Sequence, residues 1–179
     1  MFQLFNIIRK THLLFLLLSL LSISACGYRL GGWPCQDSGL VEKVEVPLFE
    51  NLSHEARAEN LVTQAFRRQL RMRPCLTLVS GPGADLLLRG SITSIEIYSV
   101  AADKVGLNVE DAIRLQLSVV LEKTEDGRIV WMADGVTDEA RYYALSDPLL
   151  AKENRQEALM ALSERMAGRM MDKLLLEFR

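Results

Sequence analysis

The segment from Ile113 to Glu122, "IRLQLSVVLE", limits the fold more than any other stretch of the chain. Ile113, Leu115, Leu117, Val119 and Leu121 alternate with Arg114, Gln116, Ser118, Val120 and Glu122, the period of a strand with one face in a core and the other largely polar. A sheet built around such a strand needs apolar cover on one side only. Two segments can supply it. "HEARAENLVTQAFRRQLRM", from His54 to Met72, repeats Ala58, Leu61, Val62, Ala65, Phe66 and Leu70 at helical spacing, with Asn51 and Ser53 as candidate caps. A longer helix starts at an Asp147 cap with Pro148 in its first turn, and its stripe is Leu159, Leu162, Met166, Met170, Leu174 and Phe178.

The remaining elements are strands. Leu40 to Phe49 alternates Val44, Val46 and Leu48 with Lys43 and Glu45, and "CLTLVS" follows Pro74. In "ADLLLRGSITSIEIYSV" the apolar phase slips from Leu86, Leu88 and Ile92 to Ile95 and Ile97, which predicts a bulge near Thr93. "EDG" at Glu125 to Gly127 predicts a turn into "RIVWMADGV". The order predicts an α+β two-layer sandwich, with two helices packed on one face of a mixed, mostly antiparallel four- to five-stranded sheet. Arg89, Ser91, Thr93, Arg114, Gln116 and Ser118 would line the uncovered face. The arginines that end the first helix, Arg67, Arg68, Arg71 and Arg73, suit its dipole and read as a solvated face.

The N-terminus has a different character. The apolar run Leu13 to Leu21 is far short of the ~20 residues that span a bilayer. Preceded by Arg9 and Lys10 and followed by Ser22, Ser24 and Ala25, it has the order of an export signal covering residues 1 to 25. The junction "ISAC" resembles the lipobox of bacterial lipoproteins, which implies that Cys26 is the first mature residue and carries the lipid. Residues 26 to 39 then form a short tether, and 40 to 179 one domain. In such lipoproteins an aspartate after the cysteine favours the inner membrane; Gly27 stands there, which implies the outer membrane.

Of three cysteines, lipidation would leave Cys35 and Cys75 in an oxidising compartment, where they are expected to bond to each other; the alternative is a pair of buried thiols. Without its signal the chain loses two of 21 cations and none of 23 acids, a balance that gives no general attraction to nucleic acid. His54 is the single histidine after the signal, too little for a nucleophile and base set or a clustered metal site. Glu110 and Asp111 are adjacent and diverge, and "SGPGAD" lacks the lysine of a phosphate loop. No enzyme, cofactor or metal is expected.

The opening "CGYRLGG" and the tail "YYALSDPLLAKENRQEALMALSERMAGRMM" resemble the LptE family of lipopolysaccharide-assembly lipoproteins, in its post-signal cysteine motif and in the aromatic pair, proline and A-K-(D/E)-N run before the last helix. The resemblance implies a plug inside the outer-membrane barrel LptD that helps assemble it and delivers lipopolysaccharide. It also implies lipopolysaccharide contacts by basic residues that map to Lys104 and Lys152. Two other classes share some features. A lipoprotein that activates a peptidoglycan synthase would need a long linker to cross the periplasm, and only about a dozen residues separate Cys26 from the first strand. A periplasmic hydrolase would need the catalytic set that is missing.

The lipobox reading makes a direct prediction. Labelled palmitate should enter the protein, and Cys26→Ser should abolish incorporation; labelling unchanged by the substitution would remove the anchor.

Overall fold

The structure, a computed structural model, describes residues 41–102 and 108–177. Its elements are β1 (Glu42–Glu45), β2 (Glu50–Asn51), α1 (Ala58–Arg71), β3 (Leu76–Val79), β4 (Leu86–Ala102), β5 (Asn108–Lys123), β6 (Ile129–Tyr143) and α2 (Pro148–Glu177). The sheet runs β3-β1-β4-β5-β6, with β2 also against β4. β1 and β2 are parallel to β4, whereas β4, β5 and β6 form an antiparallel meander.

Ile113, Leu115, Leu117, Val119 and Leu121 are all buried, in one cluster with Val62, Ala65, Phe66 and Leu70 of α1 and Leu159, Leu162, Met166, Met170 and Leu174 of α2. The expected two-layer α+β arrangement is therefore present, with both helices on the face that β5 makes apolar. The bulge expected near Thr93 is present too, as a register shift between Ile92 and Ser94.

The first strand departs from expectation. The sequence predicts one strand over Leu40–Phe49; the structure has β1, a break, and β2. Pro47 lies in the break and has no N–H to give a ladder. The polar groups freed there are met by α1. Arg67 donates from Nε and Nη2 to the Val46 carbonyl at 3.0 and 2.7 Å, and the Phe49 N–H donates to Thr63 Oγ1 at 2.9 Å. Buried backbone groups need partners of this kind. The arginines in and just after α1 are thus not simply solvated: Arg68 pairs with Glu164, and Arg73, two residues past the helix, with Asp172 at 2.6 Å, both on α2.

The helix starts differ as well. α1 begins at Ala58 after a left-handed Arg57, with no side-chain cap. Asn51 and Ser53 instead organise the preceding loop: Asn51 Oδ1 accepts from the Ser53 N–H and hydroxyl, and its amide donates to the Glu55 carbonyl and Glu59. At α2 the expected cap is present, Asp147 Oδ1 accepting from the Leu149 and Leu150 N–H groups at 2.8 and 3.3 Å.

β6 continues well past the "RIVWMADGV" segment because Gly135 adopts a positive φ of 61°. Asp134 and Gly135 together oppose Ser118, a bulge that moves the inward set from Trp131 and Ala133 to Val136, Asp138 and Ala140. Asp138 therefore faces α2, where it accepts from Arg165 Nε at 2.8 Å and pairs with Arg169. Partial burial raises the Asp138 pKa, but the Arg165 hydrogen bond, the Glu139 N–H and the two arginine charges outweigh it and hold the carboxyl below its usual range. Trp131 Nε1 donates to Glu177 at 2.8 Å, and Asn154 donates to the Tyr143 carbonyl at 3.0 Å. These contacts fasten α2 along β6.

Cys75 is buried and disulfide-bonded; Cys26 and Cys35 lie outside the described residues. No helix among the described residues is long and apolar enough to cross a membrane.

Gly90 sits where the Phe49 ring crosses the sheet, and that ring in turn meets Phe66 with centroids 4.9 Å apart. A Cβ on Gly90 would lie 2.1 Å from Phe49 Cε2. Gly90→Ala is therefore expected to cost about 1–3 kcal/mol through overpacking, seen as a lower urea midpoint, with Phe49→Leu in the same chain recovering part of the loss. A midpoint equal to the parent's would show that the ring moves aside freely.

Candidate functional site: an open sheet face and a cleft at the start of the last helix

The face of the sheet away from the helices holds all six residues expected there. Ser91 stands opposite Ser118, Arg89 opposite Val120, and Arg114 between Glu96 and Glu139. They are linked rather than free. Arg114 is 3.5 Å from Glu96 and 3.2 Å from Glu139, donates to the Tyr98 hydroxyl at 3.0 Å, and lies over the Tyr98 ring at 4.9 Å. The Tyr98 hydroxyl donates to Glu139 at 2.5 Å. That bond raises the Tyr98 pKa and, with Arg114, lowers that of Glu139.

Nearer the other end of this face, Ser118 donates to Asp134 at 2.5 Å and Arg89 pairs with Glu122 at 2.8 Å. Between them Ser94 donates to the Gln116 side chain at 3.3 Å and Thr93 to the Gln116 carbonyl at 3.2 Å. The surface is polar and internally ordered, with an apolar spot where Met132, 58% exposed, stands beside Val120. Sequence reasoning found the β4 and β5 residues but missed the third row, Thr137, Glu139 and Arg141 on β6. The phase change at Gly135 hides that row, because alternation continued from Trp131 would put the opposite set outward.

Lys152 and Lys104 have different standings. Lys104 lies outside the described residues, between β4 and β5. Lys152 is exposed and borders a cleft of about 280 Å3 whose lining includes Ile97, Asp111, Tyr142, Pro148 and Arg155. From Pro148 to Glu157 no residue of α2 is buried, so this end of the helix walls the cleft instead of filling the core. Pro148, Lys152 and Arg155 share one face by the helical repeat.

Three features of the cleft are chemical. Lys152 makes no ion pair among the described residues. Arg155 reaches Glu55 at 3.6 Å, yet its Nε is buried with no hydrogen-bond partner among the described residues. Asp111 Oδ1 is buried and unpartnered in the same sense. Burial raises the Tyr142 pKa; the charge on Asp111 adds to that and Arg155 opposes it. Asp111 gave no sign in sequence, since adjacent acids ordinarily mean solvent, and Arg155 is the residue just past the motif that singled out Lys152.

A larger recess at the opposite end of the sheet is lined by Glu42, Asp85, Lys123 and Glu125, an acidic set unsuited to anions. Among the described residues no group of His, Cys, Asp and Glu side chains could hold a metal ion.

A family model described as "LptE: Lipopolysaccharide-assembly" matches residues 41–174. Solved structures of similar fold include uncharacterized lipoprotein B from Nitrosomonas europaea, with TM-score 0.52 and 14% identity over 80% of this chain and 87% of that one. Another is a minor lipoprotein from Acinetobacter baumannii, with TM-score 0.51 and 14% identity over 76% and 93%. At these identities the likeness is one of fold. No curated protein matches the chain.

Proposed function

We propose that this chain, which belongs to the LptE lipopolysaccharide-assembly family, is an outer-membrane lipoprotein held by an acylated Cys26, whose open sheet face seats against the inner wall of an LptD barrel and whose Lys152 cleft meets lipopolysaccharide. The observation that carries the docking part is the one-sided sheet. The helices cover the apolar rows of one face, while the other presents three strands of ordered polar side chains. A barrel lumen is polar, so a plug facing it gains little from apolar surface and much from a fixed pattern of donors and acceptors.

The anchor fits the same role. One acyl chain holds only marginally and stable attachment takes more than one, a demand that a triacylated cysteine meets. With Cys26 carrying lipid, Cys35 is the cysteine left to bond Cys75. That disulfide would close a loop around β1 and α1 and restrict the unfolded chain by about 4 kcal/mol in the chain-entropy account. It would also fix the tether to the start of β3. Lys152 contributes as a point charge toward lipid A phosphates, modestly and in a salt-dependent way, and Lys104 is proposed to do the same from the loop between β4 and β5.

Photo-crosslinkers at Arg89, Gln116 or Thr137 test the docking face. They should capture LptD in the envelope, and the same crosslinker at Arg71 or Gln156 on the helices should capture much less. Capture at the helices alone, or equally at both faces, would contradict this docking face.

A further inference from the structure

We infer that the end of the domain where the chain enters β1 rests on the phospholipid leaflet that holds the anchor, through Val41, Met72 and Leu176 with Arg71 and Lys173 beside them. The inference rests on the acylated Cys26 proposed above and adds a membrane-contacting surface on the folded domain itself.

The ends of α1 and α2 and the entry to β1 meet here. Arg73, just past α1, donates to Asp172 at 2.6 Å and to the Gly168 carbonyl at 3.5 Å, both in the last third of α2. Two residues on, the Cys75 carbonyl accepts from the Glu42 N–H at 3.0 Å, which sets the start of β1 beside them. Asp172 and Leu176 are one helical turn apart and share a side of α2, the side that meets the end of α1. Met72, Leu176 and Val41 are 62%, 69% and 54% exposed. Single exposed apolar residues are ordinary, whereas several at one place mark a contact surface.

The tether identifies what covers this surface. Cys75 is disulfide-bonded, and the other cysteines of the chain are Cys26 and Cys35, so the N-terminal segment is fastened at this end by a second link besides the peptide bond into Val41. With Cys26 acylated and Cys35 bonded to Cys75, nine residues separate the lipid from the domain, at most about 32 Å when fully extended. α2 rises about 1.5 Å per residue, which puts Leu149 roughly 40 Å from Leu176. The short link therefore favours the Val41 end as the one that meets the membrane.

Charge agrees with a lipid surface. Arg71 is exposed, and Lys173 reaches Glu177 only at 3.9 Å. The acids alongside are answered within the domain, Asp172 by Arg73 and Glu177 by Trp131 Nε1. The recess that carries Glu42, Asp85 and Glu125 is lined from the strands and is repelled by anionic lipid, so the contact falls on the helix side. Apolar side chains flanked by cations are the composition that binds an anionic bilayer interface.

The test uses the full acylated chain in vesicles of phosphatidylethanolamine and phosphatidylglycerol, with a photo-crosslinker at Met72, Leu176 or Leu149. Flotation reports anchoring, and melting curves confirm that each variant folds. Met72 and Leu176 should capture phospholipid. Leu149, 65% exposed at the other end of α2, should capture none above the unirradiated background. Lys173→Glu should lower capture at Met72 at least about fivefold, the scale of one basic residue at an anionic surface. A chain that does not float overturns both the anchor and this contact. A chain that floats but captures no lipid at Met72 and Leu176, or as much at Leu149, overturns the contact and leaves the anchor standing. Capture of a second copy in place of lipid, or lipid capture that Lys173→Glu leaves unchanged, also overturns the surface as described.

Discussion

Everything in this molecule is arranged around the inward row of β5. Its five aliphatic side chains are buried to within 1% of complete exclusion, and burial of each contributes on the order of 1.5–3 kcal/mol. Because the row points one way only, both helices must lie on that side, and the opposite face is left to polar residues. The helices are then held in place by groups that would otherwise be costly: Arg67 and Thr63 answer the backbone broken at Pro47, and Asp138, turned inward by the Gly135 bulge, is answered by Arg165 and Arg169. Polar satisfaction fixes the position of elements that apolar packing merely brings together.

The sheet's two ends follow from its asymmetry. Near the start of β4, where Cys75, Glu42 and Lys123 lie, short parallel strands widen the sheet. At the other end β4, β5 and β6 run on as a three-stranded ribbon, and the exposed first turns of α2 lean against it without filling a core. That is why a cleft forms there. The turns of α2 before Ala158 bury no residue fully, and Asn154 and Arg155 tie them to the Tyr143 carbonyl and to Glu55.

Much of this could be read from the residues, and the failures have physical causes. Long alternating or helical patterns are decided by burial along their whole length, so β5, α1, α2 and the slip at Thr93 were legible. Pro47 was a visible breaker, but the alternation of Val44, Val46 and Leu48 masked it, and nothing in sequence announces that Arg67 would reach the Val46 carbonyl. β6 was legible only to its bulge, because a single glycine with positive φ exchanges the two faces. The open face was two-thirds legible for that reason. In the cleft, Lys152 was found through a motif, whereas Asp111 and Arg155 matter only through a juxtaposition of β5 with α2 that spacing cannot express.

The central claim is that a one-sided sheet exists here to present its polar face to a barrel. Affinity purification of the full chain from outer membranes in mild detergent tests it most directly, by asking what accompanies the chain and whether that depends on the open face. The account predicts that an LptD-like barrel comes along in comparable amount, and that it is lost when Gln116 and Thr137 are both replaced by tryptophan while the chain still folds and reaches the membrane. Recovery of the chain without a barrel, or with a barrel that the double substitution does not release, would contradict it.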